Sequence, residues 1–136
     1  MTTYFISGHG DLTHEEFTEH YVPEIDEAIE EGANFVLGDF EGADTMAARY
    51  LHSKGLRHKV RLYHMFSRPR HFVGSFPTVG GFTTDELRDA AMTEVSDEDI
   101  AWLREDKEES GTARNIERRN EGSIQWDMNT PINPFL

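Results

Sequence analysis

The spacing of apolar residues changes period several times along the chain, and each change predicts an element. Residues 3–7 (TYFIS) are β-branched and aromatic and run into Gly8, the pattern of a first buried strand. Phe17, Tyr21, Ile25, Ala28 and Ile29 then recur at helical spacing up to Gly32. Thr13, with Glu16 three residues on, predicts a capping box at the start of that stretch. Pro23 interrupts it, which predicts a short first turn and a second helix beginning near the proline.

The same unit follows again. Residues 34–37 (NFVL) are apolar and end in Gly38, and Ala43, Met46, Ala47, Tyr50 and Leu51 mark one face of a helix that Gly55 can close. Residues 59–66 (KVRLYHMF) alternate as a third strand. Residues 67–84 hold two prolines and three glycines without periodicity and read as a long loop, of a length that suggests a lid or an oligomer contact. Thr84 can cap a short helix through Ala91, leading to Met92 and Thr93, and residues 100–103 (IAWL) read as a fourth strand. A basic helix, TARNIERRN, follows Ser110-Gly111-Thr112. The segment 121–136 is polar and proline-containing and predicts no regular structure, although Trp126 and Phe135 can dock on a neighbour.

Alternating strands and helices imply a three-layer, Rossmann-like α/β domain with a mainly parallel sheet over residues 1–120. In such sheets a ligand sits beyond the carboxyl ends of the strands, near the switch in strand order. Three segments meet that condition: Ser7-Gly8-His9-Gly10-Asp11, the run from Gly38 and Asp39 to Gly42-Ala43-Asp44, and Ser110-Gly111-Thr112. Glycine there lets backbone approach a ligand, and a helix start offers unpaired N–H groups to phosphate or carboxylate. The plainer alternative is that each glycine only makes a tight turn and that Thr112 or Asp44 is only a helix cap.

Composition narrows the ligand. Across 136 residues, 26 acidic side chains face 13 basic ones, and a net charge of −13 repels extended nucleic acid. A small anion is still compatible, because helix starts and a few arginines such as Arg114, Arg118 and Arg119 can reverse the sign locally. The absence of cysteine removes disulfides, thiolate zinc sites and a thiol nucleophile, and suits a reducing compartment. The apolar runs are too short to span a bilayer, and no basic-then-apolar signal pattern opens the chain, so the expectation is a soluble, cytoplasmic protein. His9, Asp11 and His14 are metal-ligand types, but no spaced histidine pair accompanies them and no metal is expected. Asp39, Glu41 and Asp44 cluster within six residues and are the candidates for acid–base work, with a solvated turn as the alternative.

With Ser96-Asp97 and Ile100-Ala101-Trp102 added, this ordered set of motifs resembles the SLOG superfamily. The superfamily includes the Lonely Guy (lysine-decarboxylase-like) nucleotide phosphoribohydrolases and DNA-processing protein A. The resemblance runs over about residues 3–120, and Gly42-Ala43-Asp44 carries its most specific element. It implies a nucleotide-derived small molecule as partner; no cofactor is expected, and a homo-oligomer is expected because a small Rossmann-like domain leaves an apolar helix face or sheet edge to cover. Phosphate would sit near Ser110-Gly111-Thr112, and the base or sugar near Gly8 and Asp39. Ligand-facing candidates are then Ser7, Gly8, His9, Gly38, Asp39, Gly42, Ala43 and Asp44 in the first half, and Met92, Ser96, Asp97, Ser110, Gly111, Thr112, Asn115 and Arg118 in the second. Two departures stand out. Lonely Guy hydrolases carry Gly-Thr-x-x-Glu, and here Asn115 stands at the glutamate, an amide that can hydrogen-bond ribose but cannot act as acid, base or nucleophile. Related small members often have arginine where Gly10 stands. The resemblance therefore implies binding, with N-glycosidic hydrolysis by Asp39, Glu41 or Asp44 as the alternative.

Overall fold

The computed structural model describes residues 1–67, 69, 76–104 and 111–122. The chain runs β1 (Thr3–Ile6), α1 (His14–His20), α2 (Val22–Glu30), β2 (Asn34–Leu37), α3 (Ala43–Ser53), β3 (Val60–Met65), β4 (Thr78–Phe82), α4 (Asp85–Val95), β5 (Glu98–Ile100) and α5 (Gly111–Gly122). Local signals set the helix starts. Thr13 Oγ1 accepts from the Glu16 N–H at 3.2 Å while the Glu16 carboxylate accepts from the Thr13 N–H at 2.9 Å, closing the capping box of α1. Pro23 sits in the first turn of α2, where its missing N–H breaks no helical bond. Thr84 Oγ1 accepts from the Leu87 N–H at 3.1 Å and opens α4. That helix continues past the expected end at Ala91 to Val95, because Met92 and Val95 bury against the sheet.

Five parallel strands form one sheet in the order β4-β3-β2-β1-β5. Helices α1, α2 and α3 cover one face, where Phe17, Tyr21, Ile25 and Leu51 pack with Ile6, Phe35, Leu37 and Leu62. On the other face Met92 and Val95 of α4 meet Phe5, Val36 and Tyr63, and α5 packs against α4. Neighbours in one strand, such as Phe5 and Ile6, thus enter opposite cores, which is why β1 and β2 are continuous apolar runs. The fold is a three-layer, Rossmann-like α/β domain. Among the described residues no helix is long and apolar enough to cross a membrane.

Two expectations are corrected. The stretch read as a loop over 67–84 contains β4, a mostly exposed edge strand whose Gly80 and Gly81 hide it from any apolar pattern. Gly80 is required because a side chain there would strike the His64 ring. The fourth strand expected at 100–103 is instead β5, which ends at Ile100 and opens with acidic residues. Asp99 is accepted inside because Arg119 of α5 donates to it at 2.8 Å. Arg68, residues 70–75 and residues 123–136, with Trp126 and Phe135, lie outside the described residues.

The chain steps from β1 through β2 and β3 to β4, then crosses back so that β5 lies on the far side of β1. The switch in direction therefore falls between β1 and β5, and one residue ties their ends. Tyr21, fully buried, donates its hydroxyl to the Ser7 carbonyl at 2.8 Å and accepts from the Trp102 N–H at 3.1 Å. Burial also pushes its phenol well above the ordinary range. Tyr21→Phe keeps the ring and removes both bonds. Its urea midpoint is expected to fall with an unchanged slope, at a cost of about 1–3 kcal/mol for the orphaned backbone groups. An unchanged midpoint would show that the hydroxyl is not the tie.

Candidate functional site

Beyond β1 the ladder continues for one more bond, from the Ser7 N–H to the Ile100 carbonyl at 3.1 Å. The loop that follows is packed tightly against the start of α3. Gly42, with φ of 74°, occupies a backbone conformation that favours glycine, and a Cβ there would strike the His9 carbonyl. The Ala43 N–H donates to that same carbonyl at 3.1 Å. At Gly8 a side chain would collide with the Tyr21 hydroxyl and with Ala43. Gly8 and Gly42 thus let two protein segments meet, where the sequence pattern pointed to a ligand.

A cavity of about 270 Å³ opens beside this loop, at the carboxyl end of β1. Ser7, Gly8, His9 and Gly10 form one side, with Phe40 and Asp44 from the start of α3. Asp85, Arg88 and Asp89 of α4 contribute a second side, and Thr112, Arg114 and Asn115 of the first turns of α5 a third. Ser7 is only 5% exposed, and its hydroxyl has no hydrogen-bond partner among the described residues. His9 Nε2 accepts from the Arg104 N–H at 3.1 Å. The Arg104 side chain binds Asp11 at 2.7 Å and Glu16 at 3.0 Å, and Arg104 beside Glu16 holds that carboxyl down at about 2.

The electrostatics centre on Arg88, a buried guanidinium. It pairs with Asp39 at 2.7 Å, Asp85 at 3.1 Å and Asp89 at 2.9 Å. Burial opposes its charge, but Asp89 and Asp44 outweigh that and hold its pKa above the ordinary value. Asp44 Oδ2 accepts from the Phe40 N–H at 3.1 Å and shares the Arg88 field without a direct bond to it in this network. Burial therefore raises the Asp44 carboxyl to about 7, with Asp89 and Asp39 adding to the rise and Arg88 opposing it. Asn115 donates to Asp89 at 3.2 Å and accepts from Arg118 at 2.8 Å.

The sequence-derived candidates divide accordingly. Ser7, Gly8, His9, Asp44, Thr112 and Asn115 border the cavity, and Arg118 supports Asn115 from behind. Gly111 opens α5, and Ser110 lies outside the described residues. Asp39, expected to face the crevice, instead turns into the protein, where it holds Arg88 and accepts from the Met65 N–H at 3.4 Å. Gly38 makes room for that ion pair, since a Cβ would lie 2.8 Å from Arg88 Cζ. Ala43 is fully buried core. Glu41 is exposed and borders a separate, largely apolar groove of about 720 Å³ with Phe17, Met46 and Tyr50.

Met92, Ser96 and Asp97 are not at the crevice. Met92 is wholly inside the second core, Ser96 ends α4, and Asp97 accepts from the Thr3 N–H at 2.9 Å, at the amino edge of the sheet. Asp44 is also no exposed cap: Gly42 caps α3 and Asp44 is buried in its first turn. Sequence reading missed Arg88, Asp85, Asp89 and Phe40 as site residues. The one signal available for them was the clustering of Asp85, Arg88 and Asp89 along a capped helix start.

Fold and site together define a Rossmann-like α/β protein with a polar cavity at the switch point of its sheet. Comparison with protein-family models, curated proteins and solved structures returned no match to the chain. Among the described residues no group of three or more histidine or carboxylate side chains is arranged to hold a metal ion.

Asp44 gives a pH signature. The folded chain holds this proton more tightly than the unfolded chain, whose carboxyl titrates near 3.8, so its stabilising contribution is full below about pH 4 and is lost as pH rises through about 7. Asp44→Asn removes that dependence. Urea midpoints measured from pH 4.5 to 8 should shift in favour of the variant as pH rises, by up to about 1.4 kcal/mol per unit. A wild-type-minus-variant difference that stays constant with pH would contradict the assignment.

Proposed function

We propose that the protein binds a nucleotide-derived small molecule in the cavity at the switch point, as a member of the SLOG-like group its motifs resemble. The Ser7 hydroxyl carries the reading. A buried hydroxyl without a partner costs about 1–3 kcal/mol, and a ligand hydroxyl or phosphate oxygen would supply the missing bond. The first turn of α5 supports an anionic group, because Thr112 and Arg114 bring a hydroxyl and a guanidinium to the cavity. Asp85 and Asp89 supply acceptors for sugar hydroxyls or amino groups. At about 270 Å³ the cavity lies just below the roughly 300–1,000 Å³ usual for ligand sites, which suits a mononucleotide better than a dinucleotide.

Binding is preferred to hydrolysis because Asn115 holds Asp89 and Arg118 with an amide where a catalytic carboxylate would be needed. One observation favours the second reading, cleavage of an N-glycosidic bond. Asp44 borders the cavity and retains its proton near neutrality, as a general acid for a departing base requires.

Titration calorimetry across nucleoside 5′-mono-, di- and triphosphates, ADP-ribose and cyclic dinucleotides tests both, with mass spectrometry of the products. A monophosphate is expected to bind and to release no free base. Ser7→Ala should weaken it about three- to tenfold, the worth of one hydrogen bond, while leaving the ligand-free protein as stable as before or more so. Absence of binding across the panel rejects the proposal. Free base that appears with wild type and disappears with Asp44→Asn replaces it with hydrolysis.

A further inference from the structure

Phe40 is a large apolar side chain that the fold leaves 40% exposed at the rim of the cavity. Scattered exposed apolar residues are ordinary, but this one is held in place from three directions. Its N–H donates to Asp44 at 3.1 Å, its carbonyl accepts from the Thr45 hydroxyl at 2.9 Å, and its ring edge lies over Gly10, 2.8 Å from where a Cβ would stand. The aromatic ring thus fills the space that any larger residue at position 10 would take. Of the exposed large apolar residues among those described, Met1, Phe40, Phe66 and Leu87, Phe40 is the one that borders the cavity.

The rest of the lining is polar and nearly balanced in charge. The carboxyls of Asp44, Asp85 and Asp89 and the guanidinium groups of Arg88 and Arg114 border the cavity, with Arg88 held by its aspartates. A rigid aromatic at the mouth with hydrogen-bonding groups inside matches a molecule that is flat and apolar at one end and polar at the other. Resting on the nucleotide reading above, we propose that Phe40 is the platform on which the ligand's heterocyclic base stacks, which makes the ligand a base-bearing nucleotide rather than a bare sugar phosphate.

The test compares two probes by calorimetry on the full chain: the tightest-binding of the adenine, guanine, cytosine and uracil nucleoside 5′-monophosphates, and ribose 5-phosphate. Wild type should prefer the nucleotide by about tenfold or more, in line with a single base stacked on an aromatic side chain. Phe40→Leu, which keeps apolar packing over Gly10, and Phe40→Ala should both reduce that ratio towards one by weakening the nucleotide alone, whereas Phe40→Trp should retain it. A ratio near one in wild type, or one that survives in the leucine and alanine variants, overturns the stacking and leaves the nucleotide reading standing. Equal weakening of both probes assigns Phe40 a structural role and overturns the proposal. Failure of both probes to bind wild type overturns the nucleotide reading and the stacking with it.

Discussion

One buried guanidinium organises the carboxyl edge of this sheet. Arg88 is 4% exposed, and a charge so far from water is tolerated only when carboxylates surround it. Asp39 after β2 and Asp85 and Asp89 on its own helix supply them, drawing α4 onto the ends of β2 and β3. Gly38 follows from the same requirement, since any side chain there would occupy the guanidinium's place. The remaining carboxyl nearby, Asp44, has the Arg88 field but no direct bond to it in this network, and burial, with Asp89 and Asp39 adding to it, raises its pKa to about 7. Four acidic residues of one chemical type therefore have different roles, set by their distance from one cation and from water.

A second constraint holds the loop after β1 in place. Tyr21 binds the ends of β1 and β5 through one hydroxyl, and Gly42 brings the start of α3 against the His9 carbonyl. Neither contact needs a ligand. The loop is thus preorganised by the protein's own packing, and the buried hydroxyl of Ser7, a residue that borders the cavity, has no hydrogen-bond partner among the described residues. An unsatisfied buried group beside fully satisfied ones is the stability–function conflict that binding sites commonly show.

The layered fold was legible because its signals are local. The capping box at Thr13 and Glu16, the proline that starts α2, and the apolar runs of β1 and β2 depend on neighbours a few residues away. Elements whose identity depends on distant partners were not legible. β4 is an edge strand with two glycines that pairs with β3, and β5 opens on acidic residues, of which Asp99 is held by Arg119 from α5. In the site, Ser7, His9, Asp44, Thr112 and Asn115 could be found because each stands where a strand or helix end is written in the sequence.

The rest depended on where the chain crosses itself. Asp39, directly after a strand, is the better placed of the two in sequence terms to face the crevice, and only the arrival of Arg88 from α4, 49 residues on, commits it to an ion pair and leaves Asp44 at the cavity. Gly42 reads as an opening for a ligand until the space beside it is seen to be filled by the His9 carbonyl, and Gly8 borders the cavity while also making room for the Tyr21 hydroxyl. Sequence alone determined the alternation of the first three strands with their helices, the layered α/β class and the edge at which a cavity would form, because propensity and periodicity act over short range. Tertiary structure alone decided which polar groups at that edge face solvent and which are consumed in holding it together. Charge pairing and close packing act through space, and spacing along the chain does not encode those distances.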